Sequence, residues 1–75
     1  MKRADFFNEI IDAVEIEKDI NEETVLDDID EWDSLAAVTT LALFKQKLGL
    51  NIGAQDVKSC KTIKDLLDLG AERYE

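Results

Sequence analysis

Seventy-five residues make one small domain, and a chain of this size buries only about 60% of its unfolded surface. One cysteine excludes an internal disulfide, and the absence of histidine removes both the ordinary zinc sites and the usual general base of serine enzymes. A net charge of −9 argues against nucleic acid, which selects basic surfaces.

The chain opens on Met1-Lys2-Arg3, but Asp5, Asn8 and Glu9 interrupt any apolar run, so neither a signal peptide nor membrane insertion is expected. Phe6, Phe7, Ile10, Ile11 and Val14 recur at three- and four-residue steps and predict a first helix over 3–14. Residues 15–33 are too polar and aperiodic for a helix. They read as a long loop pinned by Ile16, Ile20, Val25, Leu26 and Ile29, and a loop of this length in a small domain is often functional.

At its end stands Asp33-Ser34-Leu35, followed by apolar residues at helical spacing to Leu48. Serine and aspartate favour the start of a helix because their oxygens accept its unpaired N–H groups. The tripeptide alone therefore reads either as a cap or as a serine presented for chemistry, where an attached phosphodiester would meet a favourable field. The central helix is predicted over 34–48, ended by Gly49. Ala37, Leu41, Phe44 and Leu48 form the predicted core stripe, with Leu35, Val38 and Ala42 displaced to a second face and Leu43 turned outward. A short third segment is expected over 55–60. The last helix opens at Thr62 with the Thr62-x-x-Asp65 cap signature and ends near Gly70, leaving 71–75 as a frayed tail.

Charge is divided unevenly. Residues 1–33 hold thirteen acidic and three basic side chains, a net of −10, whereas 34–75 hold five and six, a net of +1. The acidity ends at the serine. This reads either as a solvated surface or as a negative collar steering basic partners toward Ser34.

From about Phe7 to Leu69 the chain resembles the acyl and peptidyl carrier proteins: a first amphipathic helix, the loop with Thr24-Val25-Leu26-Asp27-Asp28-Ile29, Asp33-Ser34-Leu35, the Gly49-Leu50-Asn51-Ile52 break, a short segment near Asp56, and a final Thr62-Ile63-Lys64-Asp65. The resemblance implies an all-α, four-helix carrier bundle of three longer helices and one short one, spanning 1–75 as a single domain. It implies no catalytic activity and no resident metal. It assigns a covalent 4′-phosphopantetheine arm to Ser34, attached from coenzyme A by a magnesium-dependent phosphopantetheinyl transferase, with Asp33 orienting the reaction and Leu35 beside the arm. Partner contact falls to Asp30, Glu31, Leu35, Val38, Thr39 and Ala42. The implied partners are the transferase, an acyl- or aminoacyl-activating ligase, and an acyltransferase or synthase. The domain is expected to be free-standing, monomeric and cytoplasmic.

Three departures shape that reading. Carriers of general fatty-acid synthesis usually set carboxylates along the partner side of the central helix, where this chain has Ala36, Thr39, Lys45 and Gln46. Glu31-Trp32 replaces a small residue and a glycine, in a stretch one residue longer than the common pattern; Trp-Asp-Ser-Leu resembles carriers of specialised bacterial pathways, such as those decorating surface polysaccharides or activating amino acids. Cys60 stands where relatives often have an aliphatic residue, and is expected to be buried and inert. The expectation is a specialised carrier of acyl or aminoacyl thioesters. Its rivals are an unmodified helical interaction module with an acidic surface and a small serine enzyme.

Overall fold

The computed structural model describes residues 1–75 and contains four α-helices: α1 (Arg3–Val14), α2 (Ser34–Leu48), α3 (Ala54–Lys58) and α4 (Ile63–Asp68). No helix is long and apolar enough to cross a membrane. Their order and type match the predicted all-α bundle, but α4 is only six residues long, so two helices are long and two are short rather than three and one.

Local chemistry explains both ends of α2 and the starts of α3 and α4. The Asp33 carboxylate caps α2 by accepting from the Ala36 N–H (2.8 Å), and Gly49 closes the helix in the left-handed region (φ 67°), where a residue without a Cβ meets no steric penalty. The predicted Thr62–Asp65 box is present: Asp65 N–H donates to Thr62 Oγ1 (3.2 Å) and Thr62 N–H to Asp65 Oδ2 (3.3 Å). The third helix starts and stops earlier than the expected 55–60. Asp56 Oδ2 accepts from Gly53 N–H (3.1 Å), which sets its start at Ala54 and leaves Cys60 beyond its end.

The core joins Phe6 and Ile10 of α1, Phe44 and Leu48 of α2, Val57 of α3, and Ile63, Leu66 and Leu67 of α4. At its centre the rings of Phe6 and Phe44 lie 5.0 Å apart in a tilted pair. The loop between α1 and α2 lowers Ile16, Leu26 and Ile29 into this core, as anticipated. Val25 departs from expectation: its side chain is 41% exposed, and this part of the loop is held by backbone instead. Val25 and Thr62 form an isolated antiparallel bridge, flanked by Leu26 N–H to Lys61 O (2.8 Å) and Ile63 N–H to Thr24 O (3.0 Å).

Two further expectations are corrected. On α2 the buried residues are Ala36, Thr40, Leu43, Phe44 and Leu48, whereas Ala37 and Leu41 are only half-buried. Leu43 therefore faces the core, and Ala36 is not a surface position. α2 packs against both α1 and α3, and its buried arc takes in Ala36, Thr40 and Leu43 in place of the predicted Ala37 and Leu41. Thr40 can lie in that arc because its hydroxyl donates to Ala36 O (2.9 Å), which removes the penalty of a buried polar group. Residues 71–75, expected to fray, instead carry a 3₁₀ turn at Ala71–Arg73. Beyond it Tyr74 packs 6.0 Å from Phe6 and donates its hydroxyl to Leu67 O (2.7 Å). Burial pushes the Tyr74 phenol up to about 12.

Candidate functional site

At the mouth of α2 two adjacent residues divide the work that the tripeptide left ambiguous. Asp33 is the cap. Ser34 is the first helical residue, exposed, and its hydroxyl takes part in no hydrogen bond within the protein. The N–H groups of Ser34 and Leu35 also lack an internal acceptor, as the first donors of a helix do. The Ser34 hydroxyl thus projects into solvent beside free backbone donors and the positive end of a 15-residue helix, a setting suited to an anionic phosphodiester.

Ser34 stands on the rim of a groove of about 230 Å³ between the loop and α3. Leu26, Trp32, Ala37, Val57 and Cys60 give it an apolar wall, with Asp27 and Lys58 as charged neighbours. Trp32 is half-buried, packs against the core and forms part of this wall. Cys60 is half-buried rather than fully buried, and its thiol donates to Asp56 O (3.3 Å). Burial pushes the Cys60 thiol above its usual range, and the carboxylates of Asp65 and Asp56 add to this, so thiolate chemistry is suppressed. Sequence reasoning missed Asp27, Val57 and Lys58 as neighbours of Ser34. They reach the groove by chain folding, and only the isolated apolar Val57 amid polar residues carries a signal in the sequence.

The other candidate residues form an outer strip and a shoulder. Leu35 and Val38 are 72% and 59% exposed, unusual for large apolar side chains, and Ala42 is exposed beside a half-buried Thr39. Asp30 is exposed in the loop, while Glu31 is half-buried and accepts from Glu17 N–H (3.0 Å). No cluster of carboxylate, histidine or cysteine ligands has the geometry to hold a metal ion.

A four-helix bundle that offers one unengaged serine at the start of its longest helix, above an apolar groove, has the architecture of a small carrier protein. The family model described as the phosphopantetheine attachment site matches residues 5–69, and the chain belongs to that family. Its members bear 4′-phosphopantetheine covalently on a serine and generally carry intermediates rather than catalyse their reactions, so this chain is a phosphopantetheine-carrying protein that works with modifying and synthetic enzymes. Comparison with curated proteins gives no match, and comparison with solved structures gives none.

Proposed function

We propose that Ser34 carries the arm and that the protein serves a specialised pathway, presenting acyl or aminoacyl thioesters to dedicated enzymes. One observation carries the assignment: Asp33 does the capping, so Ser34 is left exposed with a hydroxyl that has no structural task. In the modification, Ser34 Oγ bonds to the phosphorus of the pantetheine phosphate, its proton leaves to the transferase, and the nucleotide portion of coenzyme A departs. The free N–H groups of Ser34 and Leu35 receive the new phosphodiester charge, and the apolar wall of Trp32, Ala37 and Val57 lies within the groove beside it. When bound, the arm supplies a thiol that holds cargo as a thioester. Asp33 fixes the helix start and so orients Ser34. Tethering keeps the cargo at high local concentration near each partner.

The specialised role is supported by the outer face of α2. Leu35, Val38, Thr39, Ala42, Lys45 and Gln46 occupy it without a single carboxylate. Enzymes that dock through lysine and arginine onto an acidic central helix lose several attractive pairs here, each worth about 0.2–1 kcal/mol. Partners suited to this strip meet apolar Leu35 and Val38, with Asp30 and Glu31 at its loop end. The place of action follows as the cytoplasm, where coenzyme A and the transferases work.

The decisive test is the intact mass of wild type and Ser34→Ala after incubation with coenzyme A, magnesium and a broad-specificity phosphopantetheinyl transferase. One phosphopantetheine adduct on wild type and none on Ser34→Ala is the expected result. Modification of the Ser34→Ala protein, or a folded wild type inert to several transferases, would refute the assignment.

A further inference from the structure

Opposite the groove, on the α1 side of Ser34, the surface changes character. A hollow of about 570 Å³ has Ile11, Val14 and Ile16 as its apolar floor. Its rim carries four carboxylates, Asp12, Glu15, Glu17 and Glu31. A second hollow, of about 140 Å³, continues from it toward the serine between the end of α1 and the start of α2, with Leu35 and Thr39 on its wall. Val14, Glu15 and Glu31 line both, so the two form one continuous trough ending beside Asp33. Neither contains a lysine or an arginine. The loop's one cation, Lys18, lines neither hollow and donates to Asp28 O (2.6 Å).

This trough has two properties at once. The exposed Leu35, with the partly exposed Ile11 and Val14, offers apolar area, and the rim is uniformly negative. Exposed apolar surface framed by one sign of charge marks an interaction site whose partner supplies the opposite charge. The opposite flank of Ser34 differs, because Lys58 stands in the groove there.

We infer that the trough between α1 and the loop is the docking surface for the enzyme that modifies Ser34, and that this enzyme presents lysine or arginine side chains around an apolar side chain seated between Val14 and Leu35. The inference rests on Ser34 being the modified residue. It moves the electrostatic contact from the central helix to the end of the first one. The four rim carboxylates replace those missing from the outer face of α2, and the contrast with Lys58 orients the incoming enzyme across the serine.

The test uses the full chain, coenzyme A, magnesium and a phosphopantetheinyl transferase, with initial modification rates read by intact mass at low and high ionic strength. Asp12 and Glu15 are exposed and their carboxylates bond to nothing, so the double variant Asp12→Lys/Glu15→Lys alters the rim without removing a structural contact. A matched variant, Glu23→Lys/Glu72→Lys, makes the same charge change away from the trough, at exposed positions near the Arg3 end of α1 and after α4. Circular dichroism verifies that both fold. The rim variant should lose roughly tenfold in kcat/KM at low salt, with little change in kcat and a flatter salt dependence, within the range electrostatic steering spans. The matched variant should lose far less. Equal losses in the two variants would make the effect one of net charge and overturn the inference, as would a rim variant modified at the wild-type rate. A wild type that dimerises in sedimentation while the rim variant stays monomeric would assign the trough to a second copy and overturn it too. Absence of any adduct on folded wild type removes the Ser34 assignment itself, and the docking inference with it.

Discussion

Asp33 and Ser34 are adjacent, chemically similar as caps, and have opposite roles. The Asp33 carboxylate holds the first turn of α2 through its 2.8 Å bond to Ala36 N–H, while the Ser34 hydroxyl holds nothing. Their substitution should separate the two. Asp33→Ala is expected to lose about 1 kcal/mol of stability in urea unfolding, the usual magnitude for a lost N-cap. Ser34→Ala should stay within about 0.5 kcal/mol of wild type, as exposed substitutions away from special contacts do. Equal losses would mean that the serine is structural after all. From sequence the tripeptide could not resolve this, because either side chain can cap. Only the register of the first turn decides, and it makes Asp33 the N-cap and Ser34 the first helical residue.

At the level of the helices, the boundaries of α1, α2 and α4 were legible because capping and periodicity are local properties. Phe6 and Ile10, Gly49, and the Thr62–Asp65 pair each announce themselves within a few residues. The buried face of α2 was not legible. Apolar or small residues run almost continuously from Leu35 to Phe44, so periodicity allows several stripes, and packing against α1 and α3 selects the one containing Ala36, Thr40 and Leu43. Tyr74 was hidden for a related reason: a single aromatic in a polar tail gains its partner, Phe6, from the far end of the chain. Gly70 is tied to that packing. A Cβ there would lie 2.7 Å from Leu48 Cδ1, 3.1 Å from the Tyr74 hydroxyl and 3.2 Å from Phe44. Gly70→Ala is therefore expected to destabilise by about 1–3 kcal/mol through overpacking, read as a lower urea midpoint. The α4 cap makes a pH-dependent prediction. Backbone N–H groups of Lys61 and Thr62 hold the Asp65 carboxyl below its usual range. Its contribution is present above the unfolded value and fades as pH falls through the folded one. The stability gap between wild type and Asp65→Asn should be widest above the ordinary carboxylate pKa of about 3.9 and close as pH falls through the lower folded value. A gap independent of pH would sink this account of the cap.

Across the whole molecule, charge is the least balanced quantity. A net of −9 is confined within extents of 27 × 23 × 18 Å, and most of the acidity lies in α1 and the loop. Only a few attractive clusters oppose it. The largest joins Arg3 to Glu22 (2.7 Å) and Asp68 (2.8 Å), with Lys64 also on Asp68 (2.8 Å). Self-repulsion over such distances is screened by salt, whose Debye length is about 10 Å at 0.1 M and about 3 Å at 1 M. Added sodium chloride should therefore raise Tm. A fall would mean that the Arg3 cluster outweighs the repulsion. This imbalance was readable from composition, whereas the clustering of rim carboxylates around apolar Ile11 and Val14 needed the fold.

The pairing of Val25 with Thr62 also has a consequence in time. Thirty-seven positions separate the two residues, and Leu26–Lys61 and Ile63–Thr24 tie the same segments together. Contacts across such a separation must overcome the entropy of closing a long loop, and they form late. α1 and α2 can pair before α4 is made, whereas the Thr24–Leu26 part of the loop before Ser34 gains these bonds only when Lys61–Ile63 is present. A nascent chain therefore holds its serine in an unfinished setting until the start of α4 has been made, which favours the finished fold over the growing one as substrate for modification.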